Sequence, residues 1–342
     1  MRKMCLVLAT IVAVNAINLF DVNASSYYVK RTQMIEKLMD AGYYKETAEA
    51  LSDDEIKNVY ESISGGKDVS IATCATEVDN LHEIESLLSC TKDELVNMGA
   101  NKNEIKETKK SLDELFRMKD SEMIKEYGID KTEVKALRKT KENAKKNKLK
   151  NTDEKKIKNE VNASGSISSS KLAYTQTVVN NSKKKKPNYR ATLSYSWKKA
   201  YIIAPFKDEI VVGWGGNLNC KDYQGRASYR TYKDFTGEWT GRGASAFKKM
   251  STEVTPNAGI EFIFPQSANG GRTYRKSNAG SASVTVYQTK KKGYETTLIS
   301  RYCHKVLKLG GGISISASGP SVTVSVGEGW DKSAQKKAVI GY

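Results

Sequence analysis

Leu309-Gly-Gly-Gly-Ile-Ser-Ile-Ser-Ala-Ser-Gly-Pro-Ser-Val-Thr-Val-Ser-Val-Gly-Glu-Gly-Trp330 is the stretch on which the reading of the fold turns. Ile313, Ile315 and Ala317 alternate with Ser314, Ser316 and Ser318. After Gly319-Pro320 the pattern returns, with Val322, Val324 and Val326 set against Ser321, Thr323 and Ser325. Successive side chains of a strand point to opposite faces, so each run has one apolar and one hydroxyl face. Gly-Pro between the runs makes a turn, and proline cannot donate to a ladder, so the stretch predicts a β-hairpin. It carries almost no charge in a half of the chain crowded with Lys and Arg.

The same period of two extends backwards from this hairpin. Tyr189, Ala191, Leu193, Tyr195 and Trp197 alternate with polar residues, and similar runs occupy 209–214, 227–232, 260–264, 283–287 and 294–302. Short alternating strands punctuated by Gly, Asn, Asp and Lys predict an antiparallel β-sandwich over residues 171–342.

Between residues 25 and 138 the period is helical. Ser52, Thr91 and Asp130 each precede a Glu by three residues (Glu55, Glu94, Glu133), the spacing of a capping box at a helix start. The equal spacing of the three caps predicts either stacked helical hairpins or an ordinary bundle. Residues 139–170 lose their apolar content and end in a Ser-rich run, which reads as a charged linker. Residues 1–24 read as a secretory signal: Arg2 and Lys3, an apolar run from Cys5 to Phe20, then Val22-Asn23-Ala24 before the cut. The expected class is therefore α+β with two domains, an α-helical front and a β-sandwich behind, in an exported protein.

Charge is divided along the same line. Residues 25–128 hold 14 basic and 22 acidic side chains, and residues 161–342 hold 28 and 10. Such halves attract each other. Either the front is a pro-segment that shields the basic back until the linker is cut at Lys145–Lys156, or the halves simply differ. An exported chain favours disulfides, and Cys74–Cys90 with Cys220–Cys303 is the economical pairing; four free thiols are the alternative. No Cys-x-x-Cys or His-x-x-x-His spacing points to zinc, and no cofactor is expected.

The candidate binding residues are cationic and aromatic. Lys183, Lys184, Lys185 and Lys186, then Lys248 and Lys249, then Lys290, Lys291 and Lys292 form clusters suited to an anionic membrane or a cell-wall polymer. Lysine at strand edges also prevents sheet-to-sheet association, which is the competing explanation. Trp239 and Trp330 lie among glycines and are the surface tryptophans of choice, for headgroups or sugars. Nucleic acid is a disfavoured partner, since no recognition motif accompanies the basic residues. Ile313, Ile315, Val322, Val324 and Val326 would form the lipid face if the hairpin inserted into a membrane, although arms of about seven residues fall short of the ~9–11 a tilted spanning strand needs. An ordinary half-buried hairpin is the alternative. Catalytic signatures are absent, and Cys303 and His304, as strand neighbours, project to opposite faces. Asp208, Glu209, Glu253 and Glu261 are among the carboxylates that would have to converge in a hydrolase.

Tyr43 to Ile56, with Tyr43-Tyr-Lys-Glu and Ser52-Asp-Asp-Glu-Ile, resembles a helix pair of exported Gram-positive proteins. Trp197 to Trp214, with Asp208-Glu-Ile-Val-Val-Gly-Trp, resembles the β portion of large secreted bacteriocins of the geobacillin kind. The resemblance implies a secreted antibacterial protein with a helical front and a β-rich back, and carries over no site residues. The function expected is thus non-enzymatic binding to anionic cell surfaces, with membrane damage as one outcome. A wall- or carbohydrate-binding module without lytic activity is the second reading, and a secreted enzyme the third.

Overall fold

In the computed structural model the chain is described over residues 29–150 and 169–341, apart from 98–101, 128–129, 184–185, 201–205, 217, 233–238, 241–246, 271–272, 289–294, 306–312, 319–320 and 327–329. The signal segment 1–24, most of the linker, Lys184, Lys185 and Lys290 to Lys292 lie outside the described residues. Helix α1 covers residues 29–40, followed by α2 (Lys45–Glu49), α3 (Asp53–Ser64), strand β1 (Val69–Asp79), α4 (Asn80–Ser89), α5 (Lys92–Asn97), α6 (Lys102–Arg117), α7 (Asp120–Tyr127) and α8 (Lys131–Lys150). Next come β2 (Ser169–Asn180), β3 (Asn188–Trp197), β4 (Lys207–Trp214), β5 (Asn219–Tyr232), β6 (Trp239–Thr240), β7 (Lys248–Lys249) and β8 (Ser251–Thr255). The chain continues through β9 (Gly259–Pro265), β10 (Ser267–Gly270), β11 (Thr273–Tyr287), β12 (Glu295–Lys305), β13 (Ile313–Ser318), β14 (Ser321–Val326), β15 (Trp330–Lys332) and β16 (Lys336–Gly341). The class is α+β, with antiparallel sheets and a helical N-terminal region. Among the described residues no helix is long and apolar enough to cross a membrane.

All three expected helix starts form. Ser52 and Glu55 make a reciprocal capping box, Thr91 and Glu94 make the same pair of bonds, and Asp130 accepts from the Glu133 amide while Glu133 accepts from that of Asp130. Each satisfies amides that a helix start otherwise leaves without partners. The helices so capped have 12, 6 and 20 residues, so equal cap spacing does not generate equal units.

The N-terminal half is not wholly helical. Val69 to Asp79 pairs antiparallel with Ser169 to Val179 along all 11 residues of β1. The first sheet runs β1-β2-β3-β11-β5-β6, and the second β15-β12-β4-β9-β8, with β16 also paired to β12. Inward residues of both sheets share one apolar core, including Tyr174, Tyr195, Trp197, Ile210, Trp214, Phe262, Phe264 and Tyr302, all buried.

The outward face of the first sheet carries hydroxyls, and α2 and α3 cover it. Tyr43 bonds Thr177 through their hydroxyls, Thr47 bonds Thr175 at 2.7 Å, and Ser281 donates to Glu55 at 2.7 Å. Arg226 donates to Ser281 and to the Ala50 carbonyl. A buried hydroxyl without a partner costs ~1–3 kcal/mol, so these bonds decide how the helices lie.

The expected disulfides do not form: Cys74, Cys90, Cys220 and Cys303 are free thiols. Cys220 packs against the core between the two sheets, whereas Cys303 is buried on the far face of the second sheet. Cys74 lies within β1, and Cys90 comes after α4, beside the helical cluster.

Candidate functional site: a hairpin seated on the second sheet

Among the described residues β13 and β14 pair only with each other, Ile313 opposite Val326 through Ser318 opposite Ser321. The expected hairpin therefore forms, as a third layer on the outward face of the second sheet. Ile315 and Val324 are 9% and 5% exposed, packed on Val211, Ala258, Ile299 and Cys303, while Ile313, Val322 and Val326 are partly buried around them. Ser314, Ser316, Ser318, Ser321, Thr323 and Ser325 face solvent.

Two glycines make the seat flat. A Cβ on Gly213 would stand 2.9 Å from Val322 Cγ2 and 3.3 Å from both Ile315 Cγ2 and Val324 Cγ2. One on Gly259 would stand 2.6 Å from Ile315 Cδ1 and 2.4 Å from the Val212 carbonyl oxygen. These two glycines are cross-strand partners in the β4–β9 ladder, so the absent side chains open one continuous hollow. The hairpin is held there by apolar packing. At about 1.5–3 kcal/mol for each fully buried Ile or Val, its two anchors contribute only a few kcal/mol.

Carboxylates edge the seat. Glu261 lies across from Val211 on one side and from Glu253 on the other, and Glu209 lies two residues from Val211 on the same face. Burial, then the neighbouring Glu261, Asp208 and Glu253, push Glu209 up to about 8, and burial and Glu253 raise Glu261 as well. Arg301 and Cys303 of β12 pair with Val211 and Glu209 across the ladder.

The hairpin leaves β12 after Lys305 and returns at Trp330, and these two residues are paired neighbours. A buried polar cluster fixes this root. Asp208, fully buried, accepts from the Tyr302 hydroxyl, from Gln266 Nε2 at 2.6 Å and from the Lys305 amide at 3.1 Å, with His304 Nδ1 3.0 Å away. Gln266 Nε2 also donates to the Lys305 carbonyl at 2.9 Å, and Trp197 Nε1 to the Tyr302 hydroxyl at 3.2 Å. A buried carboxylate is tolerable only with such partners. The Asp208–His304 pair has the composition of an acid–base couple, but both residues lie in the core, at 0% and 1% exposure. The alternation of β4 explains the sorting: Asp208 turns inward, Glu209 outward.

Among the described residues the other expected site residues do not gather. Lys183 and Lys186 close the tight β2–β3 turn, with the Lys186 amide on the Lys183 carbonyl. Lys248 and Lys249 sit on the edge strand β7, opposite Ala227 and Arg226 in the middle of β5. Trp239 is not a surface ring: it is partly buried against the core, and its Nε1 donates to the Trp197 carbonyl at 2.8 Å. Its flanking glycines suggest a loop, but pairing with Tyr232 draws it inward. Trp330 is on strand β15, and its side chain lies outside the described residues. Among the described residues no group of three or more His, Cys, Asp or Glu is arranged to hold a metal.

No family model and no curated protein matches this chain. Among solved structures it is similar, over 50% of its length, to 54% of a chain named BspA_C_mut, at 11% identity and a TM-score of 0.26. It is similar over 50% of its length to 57% of the Streptococcus agalactiae AgI/II polypeptide BspA C-terminal domain, at 10% identity and a TM-score of 0.23. The C-terminal domain of the Streptococcus pyogenes antigen I/II-family protein AspA gives 11% identity and a TM-score of 0.23, over 49% of this chain and 53% of that one. The chain thus spans little more than half the length of each of these structures, and likeness at this level assigns no function.

Proposed function

We propose that this is an exported, non-enzymatic protein whose basic β-sandwich domain binds anionic cell surfaces and whose hairpin, residues 313–326, then enters the membrane. The observation that carries the proposal is the hairpin itself: uncharged, paired among the described residues only with itself, and seated through apolar side chains on a glycine floor. Ile and Val released from that floor find equivalent burial in lipid, so leaving the seat exchanges one apolar environment for another. The Lys and Arg excess of residues 161–342 supplies attraction to an anionic bilayer, about 1 kcal/mol for each cation near the surface.

The test is dye release by the full chain from anionic and from neutral vesicles, alongside co-sedimentation. Release from anionic vesicles, falling as salt is added, is the expected result. Co-sedimentation without release would instead identify a surface-binding module that leaves its target intact. Failure to bind acidic vesicles even in dilute buffer overturns the proposal.

A further inference from the structure

Resting on the reading of a protein that binds anionic cell surfaces, we infer that the helical half has a binding groove of its own, between α5 and α6, and that it takes an extended polymer of phosphate groups.

The front half is acidic in sum, with 14 basic and 22 acidic side chains over residues 25–128, yet its cations are not spread evenly. Lys106, Lys110 and Arg117 recur at the four- and seven-residue steps that bring side chains onto one face of a helix, and Lys109 stands beside them on α6. With Lys92, the first residue of α5, they line a hollow of about 400 Å³ whose buried floor is Ile105. Lys109 Nζ donates to the Cys90 carbonyl at 2.8 Å, which holds its ammonium on the α5 side of the groove.

Two carboxylates, Asp113 and Glu114, share the hollow. Lys110 Nζ is 4.0 Å from a Glu114 oxygen, and Asp113 acts on Lys141 of α8. Five cations against two acids leave positive charge in excess. α8 extends it: Lys141 Nζ sits 4.8 Å from the centre of the Phe116 ring, near Arg117, Arg138 and Lys145. Burial, then Lys145 and Arg138, lower the Lys141 pKa from its ordinary value, with Asp113 opposing and Arg117 adding to the fall. An anion laid among such crowded like charges relieves them.

Length and shape choose the ligand. From Lys106 to Arg117 the helix rises about 16 Å, too far for one phosphate group to reach both ends. Five cations over that length suit a closely charged chain, and a strand of phosphodiesters carries a charge about every 3.4 Å. Lysine serves phosphate as a point charge. A bilayer is flat on this scale and would rest on the rim, whereas a single chain lies down in the hollow. No aromatic ring lines the groove among the described residues, so bases would find nothing to stack on. The polymer is therefore one without bases, such as polyphosphate or a chain of polyol phosphates.

The experiment is lysine footprinting of the full chain by acetylation, read by mass spectrometry. Inorganic polyphosphate, anionic vesicles and an oligothymidylate of equal charge are its separate arms. At ten times its Kd, polyphosphate should slow acetylation of Lys92, Lys106 and Lys110 about tenfold, in proportion to the unoccupied fraction. Lys37, Lys45 and Lys57, equally exposed on α1 to α3, should react as before. In the variant Lys106→Gln/Lys110→Gln/Arg117→Gln, the polymer concentration that half-protects Lys92 should rise about tenfold or more, as three phosphate contacts are lost. The charge-matched Lys37→Gln/Lys45→Gln/Lys57→Gln should leave it in place. Equal protection of the control lysines, no protection in the groove, or an unmoved midpoint at Lys92 overturns the inference. The wild-type footprint needs no variant, so a misfolded substitution does not spare it. Stronger protection by vesicles or by oligothymidylate overturns the choice of polymer. Dye release is scored apart: protection without release keeps the groove and removes membrane entry, and release without protection does the reverse.

Discussion

Gly213 lies directly beneath Val322, which approaches within 2.9 Å of where a Cβ would be, and the other nearest atoms belong to Ile315 and Val324 of the same hairpin. The closest obstacles to a side chain there are therefore the hairpin's own methyl groups. Gly213→Val should lift the hairpin and leave the sheets in place. Cys303, buried under the seat, reports the outcome. In a background where Cys74, Cys90 and Cys220 are Ser, its labelling should accelerate roughly tenfold or more, as expected for a local opening about 1.4 kcal/mol easier, with little change in global unfolding. Unchanged labelling would mean that the glycine floor does not hold the hairpin.

The root should be far less forgiving. Asp208→Ala removes the acceptor that serves Tyr302, Gln266 and the Lys305 amide at once. Breaking a buried polar cluster by deleting one member typically costs about 3–5 kcal/mol, and urea denaturation should register a loss of that size. Asp208→Asn, which keeps an acceptor oxygen, should lose less.

Stability should fall as pH rises through the range that Glu209 governs. Its carboxyl is held at about 8 in the fold, against an ordinary value of 4.5, so the folded state keeps a proton there that the unfolded chain has lost. The associated stability is present below about pH 4.5 and is given up as pH climbs toward 8. The difference in urea midpoint between the wild type and Glu209→Gln, tracked from about pH 5 to 8.5, isolates this group from the others. The variant should show the shallower decline, and equal slopes would refute the assignment.

Cutting the linker should not free the two halves. Trypsin acting near Lys145 to Lys156 leaves β1 bonded to β2 along its full length, with Lys336 Nζ on the Thr73 carbonyl at 2.6 Å besides. The fragments should travel together in size-exclusion chromatography even in high salt, since neither ladder nor hydroxyl contacts are screened, and part only in denaturant. Separation in salt alone would point to a front held on by charge.

Elements whose signals are local are legible in the amino-acid order alone. Ser52, Thr91 and Asp130 cap helices because a capping box needs only four consecutive residues, and the hairpin at 313–326 reads from its alternation and turn. Long-range pairing hides the rest. Val69 to Asp79 alternates only at its start, from Val69 to Ile71, it is enclosed by helix signals, and its partner lies beyond them in β2. The glycine seat is invisible along the chain because Gly213 and Gly259 reach their common hollow only through the β4–β9 register. Trp239 misleads because glycine neighbours say nothing about a ring drawn inward by a distant strand. Glu209, Glu253, Glu261 and Asp208 stand out as acids in the sequence; only the sheet sorts Asp208 into the core and Glu209 away from it.

The donation of β1 by the front half also constrains how the molecule is made. Asp79 is bonded opposite Ser169, so a chain emerging N-terminus first carries a strand with no mate until the whole of β2 has appeared. The helices can assemble in the meantime, but the sheet edge must wait, and closing so long a loop is slow. A truncated or stalled product would carry Val69 to Asp79 as an open, sticky border, which makes synthesis of the β half a precondition for a well-behaved front half.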